Sequence, residues 1–284
     1  MKVSVIIPAK NEAKSLVNLL PKLTNRMDVS EIIVVNDGST DDTTEVCQRN
    51  DVKEVVHPYS KGNGAAVKSG ARAATGDVLV FMDGDGQHDP DDIPTLLSRL
   101  YDDGYDMAVG SRAQTSQASW GRGLANTFYN WFSSLMVGHE VKDLTSGFRA
   151  VKADKFREFL YLLPNGFSYP TTSTMAFFRA GYSVSYVQLK VYRREGKSHI
   201  KPLKDGVRFL LIIFKIATLY SPLKLFVPLS AFMFLIGLGY YGYTYFWFKS
   251  FTNMSALMFT TSLTIFLVGL VSEQITALMY SKRD

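Results

Sequence analysis

Two apolar runs near the end of this 284-residue chain restrict its fold more than any other feature. Leu225 to Phe248 carries no charged side chain. As a helix it would extend about 36 Å at roughly 1.5 Å per residue, enough to cross a hydrocarbon core of about 30 Å. Met254 to Tyr280 is a second such run, interrupted only by Glu273, and a short link around Lys249 joins the two. The pattern predicts a transmembrane hairpin; the competing reading is a buried helical pair in a soluble core. Glu273 is expected to make an inter-helix or inter-subunit contact near the interface, because intramembrane carboxylates are costly and usually paired.

Charge sets the expected orientation. Lys204, Arg208, Lys215 and Lys224 precede the hairpin, Lys282 and Arg283 follow it, and Lys249 alone lies in its loop. The positive-inside rule then places both termini and the whole N-terminal region in the cytosol. The first apolar run, Val3 to Ile7, is strand-sized, so no secretory signal is expected. A single cysteine, Cys47, excludes an internal disulfide framework and suits a reducing compartment. The net charge of +5 gathers toward the hairpin, which favours anionic lipid or lipid phosphate over nucleic acid as partner.

Residues 1 to 115 alternate strand and helix signals. Strands are predicted over Val3 to Pro8, Glu31 to Asn36, Val52 to His57, Asp77 to Met82 and Tyr105 to Gly110. Helices are predicted over Glu12 to Leu20, Asp41 to Gln48, Ala65 to Ala74 and Pro90 to Tyr101. This alternation implies right-handed βαβ units and a parallel sheet, an α/β fold whose ligands bind beyond the strands' carboxyl ends. An aromatic-rich amphipathic helix is expected from Trp120 to Val137. Mixed structure follows over 144 to 192, and Lys201 to Tyr220 reads as a basic helix lying in the membrane interface.

The predicted strand Asp77 to Met82 stops on Asp83-Gly84-Asp85. Two carboxylates one residue apart at the mouth of a sheet suit Mg²⁺ or Mn²⁺ bridging a diphosphate. A polar turn capping the next helix accounts for Asp89 to Asp92 but leaves Asp83 and Asp85 unexplained. Two other predicted strand ends converge there, Pro8-Ala-Lys10-Asn-Glu12 and Asn36-Asp37-Gly38-Ser39. Glu12 or Asp37 alone would sooner be a helix cap. Together they form acceptors suited to a base edge and ribose hydroxyls, with Asp83 reaching ribose and Asp85 and Gln87 holding the metal. Residues 1 to 200 contain neither a Gly-x-Gly-x-x-Gly nor a P-loop motif.

These motifs, with Gly110-Ser-Arg112 and Thr145-Ser-Gly-Phe-Arg149, stand in the order of glycosyltransferase family two. The chain resembles its polyisoprenyl-phosphate glycosyltransferases, over residues 1 to about 201 and again in the trailing hairpin. The resemblance implies a GT-A fold, Rossmann-like with a mostly parallel sheet. It divides the chain into a cytosolic catalytic domain (1–200), an amphipathic juxtamembrane segment (201–222) and a transmembrane hairpin (223–281).

On matching positions, the resemblance assigns nucleotide-sugar contacts to Pro8, Glu12, Val35, Asp37, Asp83, Gly84 and Asp85. Arg112 would lie near the diphosphate, and Asp83, Asp85 and Gln87 would hold the metal. Arg193-Arg-Glu-Gly-Lys-Ser-His199 matches a basic loop that would close over the donor phosphates. Lys10 stands where many relatives carry tyrosine, and His199 where they carry lysine. Gly166 to Thr174 lacks the carboxylates of many relatives, which concerns sugar or acceptor choice.

The implied reaction moves one hexose from a UDP- or GDP-sugar to a polyprenyl phosphate. That acceptor is already anionic near neutral pH, so no strong general base is required. The site must align it and offset charge on the leaving diphosphate, the task given to Asp85 with its metal, Arg112 and Arg193. Arg122, Arg149 and Ser146 are the candidates for the acceptor phosphate, since arginine forks match phosphate geometry. In-line attack predicts inversion. A structural salt bridge is the alternative for Arg149, and a solvated surface position for Arg122.

Three rival readings remain. A processive polysaccharide synthase is disfavoured by the missing Gln-x-x-Arg-Trp motif and the small hairpin. An anchored glycosyltransferase with a non-lipid acceptor and a non-catalytic nucleotide-sugar-binding assembly partner are the others. A two-helix anchor commonly needs neighbours, so a homo-oligomer is compatible with the chain, with no residue fixing its order.

Overall fold

The computed structural model describes residues 1–112, 130–131, 134–135, 138–166, 168–189, 214, 218 and 220–280. The chain forms two compact units, one from 1–131 and 140–200, the other from 132–139 and 201–284.

The first unit is built on a seven-stranded sheet: β1 (Val3–Ala9), β2 (Glu31–Asn36), β3 (Lys53–Val56), β4 (Val78–Phe81), β5 (Met107–Arg112), β6 (Arg149–Lys152) and β7 (Val184–Leu189). Their order is β3-β2-β1-β4-β6-β5-β7. Six strands run parallel and β6 alone is reversed, pairing antiparallel with both β4 and β5. β1 and β4 read as near-continuous apolar runs because helices cover both their faces. The covering helices are α1 (Ala13–Thr24), α2 (Thr43–Arg49), α3 (Asn63–Ala73), α4 (Ile93–Tyr101), α5 (Ala153–Arg157) and α6 (Tyr169–Arg179).

Leu16, Leu19, Leu20 and Leu23 put the apolar face of α1 into the core, and Leu96, Leu97 and Leu100 do the same for α4. The expected helix over Pro90 to Tyr101 divides: Pro90–Asp92 is a 3₁₀ turn, capped by Asp89 accepting from the Asp91 N–H, and α4 follows. The region of expected mixed structure contains β6, α5, α6 and β7. Most of the expected helix Trp120 to Val137 and of the basic segment Lys201 to Tyr220 lies outside the described residues.

The second unit holds α7 (Pro222–Phe248) and α8 (Asn253–Tyr280), each long and apolar enough to cross a membrane. The buried positions Ser230, Gly237 and Thr244 on α7, and Ser255, Ser262, Gly269 and Thr276 on α8, recur at every seventh residue. Small side chains on one seam let two apolar helices approach closely, and a seven-residue repeat favours a left-handed crossing. The Ser230 hydroxyl donates to the Ser262 carbonyl (3.0 Å), and the Ser262 hydroxyl returns a bond to the Ser230 carbonyl (2.9 Å). Phe232, Leu235, Trp247, Leu267 and Val271 face outward, which excludes the buried soluble pair. Glu273 accepts from the Leu223 N–H at the start of α7, an inter-helix contact of the kind expected for it.

Candidate active site

The carboxyl ends of β1, β2 and β4 bring three motifs together. Asn11 adopts a left-handed conformation (φ 57°), its N–H donates to the Ser39 hydroxyl and its side-chain oxygen accepts from the Thr40 N–H. Asp41 reaches across and accepts from the Ala13 N–H at 3.0 Å, capping α1 from a neighbouring loop. Glu12, at the N-cap position itself, makes no side-chain cap bond, so the helix-cap alternative for this residue falls. A methyl group added at Gly84 would lie 3.5 Å from the Pro8 carbonyl oxygen and 3.7 Å from the Glu12 β-carbon. Pro8, Glu12 and Gly84 are therefore neighbours. Val35 is fully buried in β2 and paired with Pro8 in register, and Lys10 is exposed beside Asn11.

Asp37 departs from the expectation. Its carboxylate accepts from His57 Nδ1 (2.7 Å), the Ser60 hydroxyl (2.7 Å), the Lys61 N–H (2.8 Å) and the Gly62 N–H (2.9 Å). A carboxylate offers about four lone-pair sites, and all are taken. Burial pushes this carboxyl's pKa up, but the four hydrogen bonds outweigh it and hold it down at about 2. The correction is that Asp37 orders the loop after β3 with its side chain instead of reading a base. His57 Nε2 lies 2.8 Å from the Ser69 hydroxyl, which fixes the ring's second nitrogen.

Asp83 and Asp85 are half-buried at the end of β4. Asp85 accepts from the Gln87 N–H at 3.1 Å, so Gln87 meets it through the backbone. One flank of Asp85 lines a cleft of about 450 Å³ shared with Lys14, Ser15, Asn18, His88 and Asp89. Among the described residues no three His, Cys, Asp or Glu side chains are grouped to hold a metal. Two carboxylates without a third protein ligand still fit Mg²⁺ or Mn²⁺, which commonly complete their shell with substrate phosphate and water.

On the other side of Asp83 stands the turn before β6. Phe81 pairs with Arg149 in antiparallel register, and continuing that register sets Gly147 opposite Asp83. Gly147 has no side chain because there is no room: a β-carbon there would lie 2.6 Å from Asp83 Oδ2. Asp143 accepts from the Thr145 N–H, the Thr145 hydroxyl and the Ser146 N–H, forming the turn. Ser146 is buried and its hydroxyl has no hydrogen-bond partner among the described residues.

Arg149 is also corrected. Its side chain is fully buried, and Nη1 donates to the Pro170 carbonyl (2.9 Å), the Ser173 hydroxyl (2.9 Å) and the Thr174 hydroxyl (3.0 Å). Nη2 donates to the Ser146 carbonyl, and the Tyr169 ring lies beneath the guanidinium, its centroid 5.9 Å away. Burial lowers its pKa, opposed by the nearby Tyr169, Tyr186, Asp143 and Asp83. A guanidinium committed in this way does not present a fork to a phosphate. The salt-bridge alternative is not what is seen either, since its acceptors are carbonyls and hydroxyls.

Arg112 closes β5, where it pairs with Leu189, and its side chain lies outside the described residues. Arg122, Arg193 and His199 lie outside them altogether. Asp41, His57, Asp143, Ser173 and Thr174 were not anticipated. The runs Asp143-Leu-Thr-Ser146 and Asp41-Asp-Thr43 carry Asx-turn signals that point to Asp143 and Asp41; His57, Ser173 and Thr174 meet their site partners across 20 or more residues.

A sheet of this order, with an acidic turn where β4 ends, defines an α/β domain of the GT-A type. The chain belongs to glycosyl transferase family 2: residues 4–160 match that family, and residues 221–278 match the GtrB C-terminal hairpin. It is 37% identical over 183 residues to a dolichol-phosphate mannosyltransferase of Pyrococcus furiosus, covering 59% of this chain and 50% of that protein. It is 30% identical over 209 residues to an undecaprenyl-phosphate mannosyltransferase of Micrococcus luteus, covering 69% of this chain and 85% of that one. The chain thus spans about half the length of the Pyrococcus protein. The fold is similar to glucosyl-3-phosphoglycerate synthase of Mycobacterium tuberculosis in complex with Mn²⁺ and UDP-glucose. The TM-score is 0.62 at 21% identity, over 76% of this chain and 78% of that one.

Proposed function

We propose that this chain transfers a single hexose from a UDP- or GDP-sugar to polyprenyl phosphate at the cytosolic face of a membrane, with inversion at the anomeric carbon. The observation that carries the reading is the presence in one chain of an Asp83-Gly-Asp85 turn at the sheet's carboxyl edge and an apolar two-helix hairpin. The names of the similar mannosyltransferases support it. The basic residues flanking the hairpin support cytosolic termini and a division into 1–200, 201–222 and 223–281.

Each residue has a task in this reaction. Pro8, Lys10, Glu12, Val35 and Gly84 shape the bed for the nucleoside, and Asp83 and Asp85, with Gln87 alongside, hold the cation. Mg²⁺ or Mn²⁺, when bound, offsets charge on the leaving diphosphate. Arg112, Arg193 and His199 are assigned to the phosphates of the donor on their sequence positions. The Ser146 hydroxyl, without a partner among the described residues, holds the acceptor phosphate, and Arg122 is assigned to the same phosphate on its sequence. Because that phosphate is anionic near neutral pH, alignment replaces proton abstraction.

The test incubates the full chain, purified in detergent, with polyprenyl phosphate and a panel of radiolabelled nucleotide sugars, with Mn²⁺ or with EDTA. Label is expected in the organic phase for one sugar, and only with metal. Label confined to water-soluble product would overturn the lipid acceptor. Absence of any transfer with every sugar would leave a binding protein in its place.

A further inference from the structure

We propose that Arg149 is a positioning residue for the Asp83 carboxylate. The inference rests on the reading of Asp83 as part of a metal–nucleotide site. It concerns how the fold holds that residue, and it removes Arg149 from contact with either substrate.

The connection runs through three short steps. Arg149 Nη1 gathers the Pro170 carbonyl and the Ser173 and Thr174 hydroxyls, all in the first turns of α6. Its Nη2 grips the Ser146 carbonyl, one residue from Gly147. Gly147 in turn backs directly onto Asp83, within the space that a β-carbon would need. Tyr169, the first residue of α6, adds a weaker strap, its hydroxyl 3.4 Å from the Gly147 carbonyl. Thr171 adds another, its hydroxyl donating to the Leu144 carbonyl at 3.3 Å, so the turn beside Asp83 is tied to a helix with the guanidinium making the shortest bonds.

Arginine suits this position for a physical reason. Acceptors lie on both sides of the group, and the two Nη ends of a planar fork serve them with one side chain, Nε being buried without a partner among the described residues. A lysine ammonium offers three donors at a single point and reaches one side only. The fixed positive charge also stands behind Asp83, close enough for the two to interact electrostatically. Groups that orient a metal ligand from behind commonly cost about 10–100-fold in metal affinity when removed.

The experiment measures binding of UDP and of GDP, each with Mn²⁺, to the full chain in detergent by titration calorimetry. It also determines KM for donor and for polyprenyl phosphate. Arg149→Gln, Thr174→Val and Gly147→Ala are compared with wild type; Arg149→Lys tests partial rescue. All three are expected to weaken Mn²⁺–nucleotide binding by about 10–100-fold. Thr174→Val, which leaves the Arg149 bond to the Ser146 carbonyl in place, is expected to keep the acceptor KM within about threefold, a split that general loss of folded protein does not produce. Should Arg149→Gln fail to fold, Thr174→Val and Gly147→Ala decide, since both keep the arginine.

Unchanged nucleotide binding in the folded variants would overturn the proposal. So would a raised acceptor KM at normal nucleotide affinity, which would return Arg149 to the acceptor phosphate. Failure of wild type itself to bind either Mn²⁺–nucleotide would remove the donor-site reading and this inference with it.

Discussion

His57 and Asp37 share a hydrogen bond, Nδ1 to Oδ1 at 2.7 Å, at the carboxyl edge of the sheet. It joins the loop after β3 to the loop after β2, and three further donors complete the shell of the carboxylate. Asp37 is 5% exposed, so the loop from His57 to Gly62 is organised around a sealed negative charge.

That charge makes part of the stability depend on acid. The Asp37 carboxyl is held at about 2 in the folded state against an ordinary value of 3.8. A folded pKa below the unfolded one gives a contribution complete above about pH 4 and lost as pH falls through about 2. The full difference corresponds to about 2 kcal/mol. Asp37→Asn, assayed by urea titration in detergent, should lose about 1 kcal/mol less than wild type between pH 5 and pH 3. Equal losses in the two proteins would refute the assignment.

Asp85 is expected to carry the metal dependence of transfer. Replacing it by alanine removes one of two carboxylates at the turn, and the leaving diphosphate then lacks charge compensation. The maximal rate in a Mn²⁺ titration should fall by about 10²–10³-fold, the range seen when one electrostatic stabiliser is removed. Asp91→Ala serves as the control, because Asp91 is exposed and pairs with Arg26 at 2.7 Å away from the turn. Full activity in Asp85→Ala would eliminate the metal role.

Asp41 should link helix stability to donor affinity. It supplies the carboxylate at the Ala13 N–H that Glu12 does not, from a loop that also stitches Asn11 to Thr40. Loss of such a cap costs about 1 kcal/mol. Asp41→Ala should therefore lower the melting temperature and raise the donor KM together, since Glu12 sits at the uncapped end. A lowered melting temperature with an unchanged donor KM would show that Glu12 does not contact the nucleoside.

The parts that sequence alone revealed share one physical property: their signals are local. β1, β2 and β4 are short apolar runs between turn residues, and β2 lies where its residues predict it, over Glu31–Asn36. β6 did not show itself, because four residues beginning with an arginine carry no periodicity and the strand runs against its neighbours. α6 was hidden by its composition, Tyr-Pro-Thr-Thr-Ser-Thr, poor in strong helix formers and stabilised by burial instead. Within the site, Asp83 and Asp85 stood out because a buried strand stopping on two acids has no other local explanation. The expectations for Asp37 and Arg149 fail because most of their partners lie 20 or more residues away, and a formal charge does not reveal burial.

The hairpin seam predicts its own cross-link. The Ser230 and Ser262 hydroxyl oxygens are 3.3 Å apart, so cysteines at these positions should form a disulfide readily under mild oxidant in a Cys47→Ser background. Gly269 controls the approach on the same face of α8, where an added β-carbon would come within 2.6 Å of the Phe226 β-carbon. Gly269→Leu in the double-cysteine protein should force α7 and α8 apart and slow cross-linking strongly. Val268→Leu, on the half-exposed neighbouring position, should leave the rate unchanged. Single hydrogen bonds between membrane helices average only about 0.6 kcal/mol, so Ser230→Ala should cost far less than Gly269→Leu in thermal stability in detergent. Packing of small residues, with the serine pair setting register, then holds the hairpin. A cross-linking rate insensitive to Gly269→Leu would mean that the two helices meet along another face.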